Sequence, residues 1–142
     1  MANTINSSST ITGGCLCGAV RYQVHQKPST VIACHCTQCR RMTGHYMAAT
    51  FTPKNQIEMV QDEGLKWYRS SDIAQRGFCQ QCGSTLFWNG DTWDEMGIAA
   101  GTLDDDQGIR LSGHVYVASK GDYYDLDDGL PQYQSDEDVP DG

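Results

Sequence analysis

Seven cysteines fall into three short clusters, and their spacing is the feature of this sequence that most directly indicates chemistry. The clusters are Cys15-x-Cys17, Cys34-x-Cys36-x-x-Cys39 and Cys79-x-x-Cys82. Zinc takes four ligands in a tetrahedron, and thiolates at such spacings are typical of its sites. Two chelating pairs close a zinc site, whereas three ligands from one segment leave a coordination position open. An odd number of cysteines also argues against a framework built from disulfides alone.

Two divisions of the cysteines into metal sites compete. In the first, a closed four-thiolate site forms from Cys15, Cys17, Cys79 and Cys82, and an open three-thiolate site from Cys34, Cys36 and Cys39. In the second, a ribbon-like site forms from Cys36, Cys39, Cys79 and Cys82, which leaves Cys15, Cys17 and Cys34. Gly18 and Gly83 each follow a cysteine, and a glycine there lets the backbone turn tightly and direct N–H groups at sulfur. These glycines favour the first division.

Two arginines follow the middle cluster, at Arg40 and Arg41. Because a zinc ion with three thiolates has a net negative charge, nearby guanidinium groups would offset that charge. They could also bind a substrate carboxylate in a forked contact. A solvated surface pair accounts for these arginines equally well. Of the nearby histidines, His35 is expected to face away from its cysteine neighbours in an extended segment, and His45 is a candidate proton donor.

The elements that must position these side chains are short strands. Alternating apolar residues and turn residues predict strands at 19–24, 31–33, 46–51, 57–60, 65–69, 74–78, 85–88, 96–100 and 114–117. Residues 12–14 are predicted to form a turn, and residues 38–43 a short helical turn. Since no stretch shows helical periodicity over ten or more residues, the pattern predicts a mostly β domain of short antiparallel strands.

Charge is concentrated near the C-terminus. The chain has 142 residues and a formal net charge of −8. The segment 122–142 holds eight acidic residues and no Lys or Arg, so the rest of the chain is neutral. An acidic end on a neutral body argues against nucleic-acid binding, although Tyr123, Tyr124 and Tyr133 could anchor part of this end. We expect a flexible segment at 1–10, one domain at 11–133 and an acidic tail at 134–142.

The location that the sequence indicates is the cytoplasm. No signal peptide is recognisable at the N-terminus, and no apolar run approaches the ~20 residues that span a membrane. In a reducing compartment, clustered cysteines indicate metal ligands or redox groups.

The cysteine segments resemble those of the glutathione-dependent formaldehyde-activating enzyme family, which also includes centromere protein V-like proteins. The matching segments are GGCLCGAVRY at 13–22, CHCTQCR at 34–40, FCQQCG at 78–83, AGTLD at 100–104, HVYV at 114–117 and DGLPQY at 128–133. The resemblance spans residues 11–133.

The resemblance implies two zinc ions per chain in a small zinc-stapled β domain, tent-like or sandwich-like. It implies a structural zinc on Cys15, Cys17, Cys79 and Cys82, and a catalytic zinc on Cys34, Cys36 and Cys39. The implied activity is the addition of glutathione to formaldehyde, which gives S-(hydroxymethyl)glutathione and is classed with the carbon–sulfur lyases. Glutathione or another small thiol and a small aldehyde are the expected partners. A non-catalytic thiol-binding or protein-interaction module of the same fold is the alternative, and a redox dithiol protein is a third hypothesis.

Overall fold

Two β-sheets form the protein in the computed structural model, which describes residues 10–105 and 108–135. The strands are β1 (Ile11–Gly14), β2 (Arg21–Val24), β3 (Val31–Cys34), β4 (Met47–Pro53), β5 (Ile57–Gln61), β6 (Leu65–Arg69), β7 (Ala74–Cys79), β8 (Thr85–Gly90), β9 (Glu95–Ala99) and β10 (Leu111–Val115). One α-helix, α1 (Thr37–Thr43), and three short 3-10 turns (Lys54–Gln56, Ala100–Thr102, Val117–Ser119) complete the elements of this described part.

The smaller sheet has the strand order β1-β2-β5, and the larger has the order β10-β3-β4-β9-β8-β7-β6. Neighbouring strands pair antiparallel, except that β10 lies parallel to β3 and sets Val115 beside Cys34. The prediction of a mostly β domain of short strands is confirmed. Among the described residues, no helix is long and apolar enough to cross a membrane.

The main hydrophobic core lies between the two sheets. On β2 the side chains of Tyr22 and Val24 are buried, and they pack with Phe87 of β8 and Ile98 of β9. The rings of Tyr22 and Phe87 meet edge to face at 5.2 Å between centroids. Side chains alternate between the two faces along each strand, so the face of the larger sheet that points away from the core is free to line a separate site.

The predicted turn at 12–14 is wrong, because these residues belong to β1. Gly13 pairs with Tyr22 across the sheet. A Cβ atom at Gly13 would lie 2.4 Å from the Tyr22 hydroxyl oxygen, so a glycine is required by packing rather than by a turn. The predicted helical turn at 38–43 is confirmed as α1, which ends at Gly44 in the left-handed conformation with φ +83°.

The chain after β10 folds back along that strand. The His114 N–H donates to the Pro131 carbonyl at 2.9 Å, and the Tyr133 N–H donates to the His114 carbonyl at 2.8 Å. Residues 131–133 therefore extend the edge of the larger sheet. Most of the predicted flexible segment (1–9) and of the predicted acidic tail (136–142) lies outside the described residues.

Candidate metal centres

Four sulfur atoms from two distant parts of the chain meet in one cluster, the four-sulfur cluster. Its members are Cys15, Cys17, Cys79 and Cys82, and their Sγ atoms all lie within 4.8 Å of one another. The Sγ of Cys17 lies 3.7 Å from that of Cys15 and 3.8 Å from that of Cys79. A tetrahedral zinc with bonds of about 2.3 Å holds its sulfurs ~3.8 Å apart, so these spacings fit zinc.

Tight turns direct hydrogen-bond donors at these sulfurs. Gly18 and Gly83 have φ of +88° and +83°, which confirms that both turns use a conformation that favours glycine. The Val20 N–H donates to the Cys15 sulfur at 3.2 Å. Hydrogen bonds from Ser84 lower the pKa of the Cys82 thiol to about 5. Donors of this kind stabilise thiolates, the form in which cysteine binds metal.

The other three sulfurs form a second group, the three-sulfur cluster. Cys34 ends β3, Cys36 is the N-cap of α1 and Cys39 lies in its first turn, with the three Sγ atoms within 4.8 Å of one another. The Cys39 N–H donates to the Cys36 sulfur at 3.3 Å. Among residues 10–105 and 108–135, no further His, Cys, Asp or Glu joins this group. The chain therefore supplies three thiols here that could serve as soft ligands of one metal ion.

Hydrogen bonds among the three thiols shift the pKa values of Cys36 and Cys34 in opposite directions. The pKa of Cys36 lies far below its ordinary value, because the thiols of Cys34 and Cys39 hydrogen-bond to its sulfur. The pKa of Cys34 is raised correspondingly, first by its hydrogen bond with Cys36. All seven cysteines are free thiols, so no disulfide competes with metal binding. The structure groups the sulfurs as four and three, and the ribbon-like set with Cys36 and Cys39 beside Cys79 is not formed.

A buried arginine that the sequence analysis missed contacts the three-sulfur cluster. Arg76 on β7 is 3% exposed, and both its terminal nitrogens lie 3.5 Å from the Cys39 sulfur. Its Nη2 also lies 3.4 Å from the Gln38 side-chain oxygen. The ion pairs of the described residues do not include Arg76. A buried cation needs a compensating anion. The hydrogen bond with Cys34 and the charge of Arg76 lower the pKa of the Cys39 thiol, but the hydrogen bond with Cys36 and burial raise it, and the net shift is upward. A basic residue inside a strand that leads to Cys79 was the available signal.

The two arginines singled out in the sequence lie elsewhere. Arg41 is exposed on α1, and Arg40 is half-buried with an Nε atom that has no hydrogen-bond partner. Neither is among the residues that line the cavity beside the three-sulfur cluster. Their role as carboxylate anchors stays a prediction.

A cavity of about 590 Å³ adjoins the three-sulfur cluster, a volume within the range of small-molecule sites. Its polar end contains Cys34, Cys36, Cys39 and Arg76, and aromatic and aliphatic side chains form much of the remainder. Tyr116 also lines the cavity. Its φ of +58° is the only positive value at a non-glycine residue in the described part of the chain. Such a conformation at a bulky residue is rare and is concentrated at functional sites.

His35 and His114 form a buried chain of hydrogen bonds behind the cluster. His114 Nε2 lies 2.8 Å from a carboxylate oxygen of Asp128, and His114 Nδ1 lies 2.9 Å from His35 Nε2. His35 Nδ1 hydrogen-bonds to the Tyr124 hydroxyl, and the tautomers of the two rings set the direction of each bond. Burial lowers the pKa of His35 to about 4, which agrees with a neutral ring. His35 is not among the residues that line the cavity. His45 is exposed, and its ring contacts Tyr124.

Known proteins match most of the length of this chain. Residues 10–119 match the family described as glutathione-dependent formaldehyde-activating enzyme. A Schizosaccharomyces pombe protein named an uncharacterized lyase is 30% identical over 135 residues, which cover 88% of this chain and 91% of that protein. A crystal structure of a Rhodobacter sphaeroides protein matches with a TM-score of 0.58 and 25% identity, over 71% of this chain and 99% of that chain.

These matches confirm the resemblance seen in the cysteine segments. The chain belongs to the glutathione-dependent formaldehyde-activating enzyme family.

Proposed function

We propose that this chain is a zinc-dependent carbon–sulfur lyase-type enzyme that acts on adducts between a thiol and a small aldehyde. S-(hydroxymethyl)glutathione, formed from glutathione and formaldehyde, is the adduct that the family description suggests. The observation that carries the proposal is the three-sulfur cluster, which offers three thiol ligands and adjoins a cavity. The four-sulfur cluster would hold a structural zinc, and the three-sulfur cluster a catalytic one.

When bound to the three-sulfur cluster, zinc supplies a Lewis acid that lowers the pKa of a thiol and favours its reactive thiolate. The cavity holds the thiol and the aldehyde next to each other, which replaces a bimolecular encounter. Arg76 offsets negative charge at Cys39. A thiolate in the cavity would add to that negative charge, so Arg76 favours the ionised thiol as well.

The reaction is an addition without any change of oxidation state. A carbon–sulfur bond forms, the π bond of the carbonyl group breaks, and the thiol proton finally resides on the new hydroxyl oxygen. In the lyase direction each of these changes is reversed. Thr37 and Ser119 are among the residues that line the cavity, and we assign to their hydroxyl groups the hydrogen bond that the developing oxyanion requires.

Metal analysis joined to X-ray absorption at the zinc edge tests the proposal. The wild-type protein should contain two zinc ions, with about 3.5 sulfur neighbours per zinc on average, rising to about 4 when a thiol is added. Cys36→Ser should keep one zinc and its fold, since serine is a good N-cap for α1. Arg41→Met, an exposed change on the same helix, is the matched control and should keep both ions.

Kinetics separate an enzyme from a binding module. We expect the wild type to form the adduct faster than the uncatalysed reaction, and Cys36→Ser to lose this excess rate. A thiol-dependent change at zinc with no excess rate would favour the non-catalytic module. Cys36→Ser with both zinc ions and full turnover would contradict the assignment of the open site.

A further inference from the structure

We propose that the cavity contains a subsite for a flat apolar group, so that the preferred adduct has an aromatic substituent rather than the charged groups of glutathione. The subsite, here called the aromatic wall, consists of Phe51, Trp88 and Trp93. The inference deepens the proposed function and rests on it. It concerns the part of the substrate that lies beyond the sulfur and carbonyl carbon.

The register of the larger sheet brings the aromatic wall and the three-sulfur cluster onto one face. Phe51 of β4 pairs with Gly97 of β9, and Gly97 pairs with Trp88 of β8. Trp88 pairs in turn with Arg76 of β7. Because paired residues of neighbouring strands point to the same side, Phe51, Trp88 and Arg76 share this face.

The cysteine end of the cavity belongs to the same face. Cys34 pairs with Met47, and Phe51 lies four positions after Met47 along β4, which is an even offset. Alternation along the strand therefore directs both side chains to one side of the sheet. A substrate whose sulfur lies at the three-sulfur cluster can thus extend along this surface toward the aromatic wall.

Two glycines allow the rings to lie close to the backbone of the sheet. A Cβ atom at Gly97 would lie 3.2 Å from Cε2 of Phe51, and one at Gly90 would lie 2.8 Å from Cη2 of Trp88. The Trp93 ring packs against both neighbours, at 5.8 Å from Phe51 and 5.0 Å from Trp88 between centroids. These ring contacts fix the wall in place, which is the rigid surface that a planar ligand requires.

Apolar surface is left uncovered at the mouth of the cavity. Trp93 is 45% exposed and Ile73, another lining residue, is 66% exposed. Phe51 and Trp88 are also only partly buried, although their strands lie inside the sheet. Contiguous apolar surface of this kind marks a binding groove more often than a solvated face. A ligand with an apolar ring would cover it.

The charge of the cavity opposes glutathione. Arg76 is the one charged side chain among the described residues that line it, and both its terminal nitrogens already contact the Cys39 sulfur. Glutathione carries carboxylates and an ammonium group, and removing each unpaired charge from water costs several kcal/mol. The chain before residue 122 is formally neutral, so it gives no general attraction for an anionic tripeptide. An uncharged substrate avoids these costs.

The aromatic group can come from either reactant. With an aromatic aldehyde, such as benzaldehyde, the ring is attached to the carbonyl carbon. With an aromatic thiol, such as phenylmethanethiol, it is attached through the sulfur. In both cases the sulfur adds to the carbonyl carbon, the carbonyl π bond breaks and the thiol proton moves to oxygen, so no oxidant or reductant is needed.

Adduct formation with four reactant pairs, each corrected for the uncatalysed rate, tests the inference. The pairs are formaldehyde with glutathione, formaldehyde with 2-mercaptoethanol, benzaldehyde with 2-mercaptoethanol, and formaldehyde with phenylmethanethiol. We expect at least one aromatic pair to have a kcat/KM about tenfold above that of the glutathione pair. The pair that is preferred identifies the source of the ring.

Variants of the aromatic wall give the second readout. Trp93→Leu, at the exposed rim, should lower the preference for the aromatic pair over the 2-mercaptoethanol–formaldehyde pair by about tenfold. Tyr68→Leu is the matched control, because Tyr68 is 56% exposed on β6 and does not line this cavity. It should leave the preference unchanged. A highest kcat/KM for the glutathione pair would overturn the inference, as would an equal fall for all pairs in Trp93→Leu.

A binding measurement keeps this result separate from that of the proposed function. Quenching of tryptophan fluorescence by phenylmethanethiol and by 2-mercaptoethanol gives the two dissociation constants directly. If no pair is turned over, tighter binding of phenylmethanethiol that Trp93→Leu abolishes would still support the subsite while the lyase function fails. Equal affinity for the two thiols would overturn the subsite.

Discussion

Both terminal guanidinium nitrogens of Arg76 lie 3.5 Å from the sulfur of Cys39. Arg76 is in the middle of β7, and the same strand ends at Cys79, a member of the four-sulfur cluster. One six-residue strand therefore contacts both candidate metal centres. Arg76 contributes positive charge beside the three-sulfur cluster, and Cys79 contributes a sulfur to the four-sulfur cluster.

Replacement of Arg76 should weaken metal binding at the open site. We expect Arg76→Met to lower the affinity of the three-sulfur cluster for zinc by about 10- to 100-fold, because the thiolates lose the cation that offsets their charge. Chelator competition, followed as the loss of one zinc per chain, measures the effect. Arg41→Met is the control and should behave as the wild type. Equal zinc affinity in Arg76→Met would show that the contact has no role in metal binding.

Loss of one cysteine should lower the free energy of unfolding far more at the four-sulfur cluster than at the three-sulfur cluster. Cys15 and Cys17 follow a strand of the smaller sheet, whereas Cys79 and Cys82 lie at the end of a strand of the larger sheet. A metal there fastens the two sheets together, and structural zinc contributes its binding energy directly to folding. We expect Cys82→Ser to lower the free energy of unfolding by several kcal/mol.

Denaturant unfolding, with native mass spectrometry to count the metal ions, compares Cys82→Ser with Cys36→Ser. Each variant should lose one zinc, but Cys36→Ser should unfold close to the wild-type midpoint. A larger loss of stability in Cys36→Ser would reverse the assignment of the structural and open sites.

The Tyr124 hydroxyl should stabilise the segment that follows β10. It hydrogen-bonds to the buried His35, which lies between two cysteines of the three-sulfur cluster. Removing it in Tyr124→Phe leaves His35 Nδ1 without a partner, and we expect the free energy of unfolding to fall by about 1–3 kcal/mol. Limited proteolysis within 124–133 should become faster. Tyr123→Phe removes a hydroxyl from the exposed neighbour and should leave both measurements nearly unchanged.

Stability should fall at alkaline pH because of Tyr22. Burial raises the pKa of Tyr22 to about 12 from an ordinary value of 10.0. The folded state therefore favours the neutral phenol. The contribution of Tyr22 to the free energy of unfolding is complete below pH 10 and is lost as the pH rises toward 12. The loss amounts to at most about 3 kcal/mol. Tyr22→Phe should be less stable by about 1 kcal/mol at pH 7, because it lacks the hydrogen bond to Thr102.

Unfolding curves recorded from pH 7 to pH 12 compare the two proteins. The stability difference between them should shrink and then change sign above pH 10. Parallel curves over the whole range would mean that Tyr22 does not ionise with a raised pKa.

Sequence reasoning found the cysteine groups because their information is local. The ligands of each segment are separated by one or two residues, and Gly18 and Gly83 mark the turns that bring their donors to sulfur. The strands were found for a similar reason, since alternation along one strand already indicates which face is buried. The mostly β fold follows from these short patterns.

The parts that were missed depend on contacts between distant residues. A basic residue inside a predicted strand marks Arg76 as unusual, but the sequence does not show that this residue contacts Cys39, 37 positions away. Arg40 and Arg41 were chosen instead because they follow Cys39 directly in the sequence. The parallel pairing of β10 with β3 likewise depends on how the chain returns after residue 99. Residues 12–14 were misread because glycines indicate turns in a single sequence, while here Gly13 accommodates the Tyr22 ring.

The two clusters differ in how much of the polypeptide must exist before each is complete. The three-sulfur cluster lies within one short segment, 34–39, whereas the four-sulfur cluster joins Cys15 to Cys82. During synthesis on the ribosome, all three thiols of the three-sulfur cluster have therefore emerged while the four-sulfur cluster still lacks Cys79 and Cys82. Metal binding by a nascent chain can thus begin at the three-sulfur cluster. The four-sulfur cluster can form only after the long-range folding that brings the two sheets together.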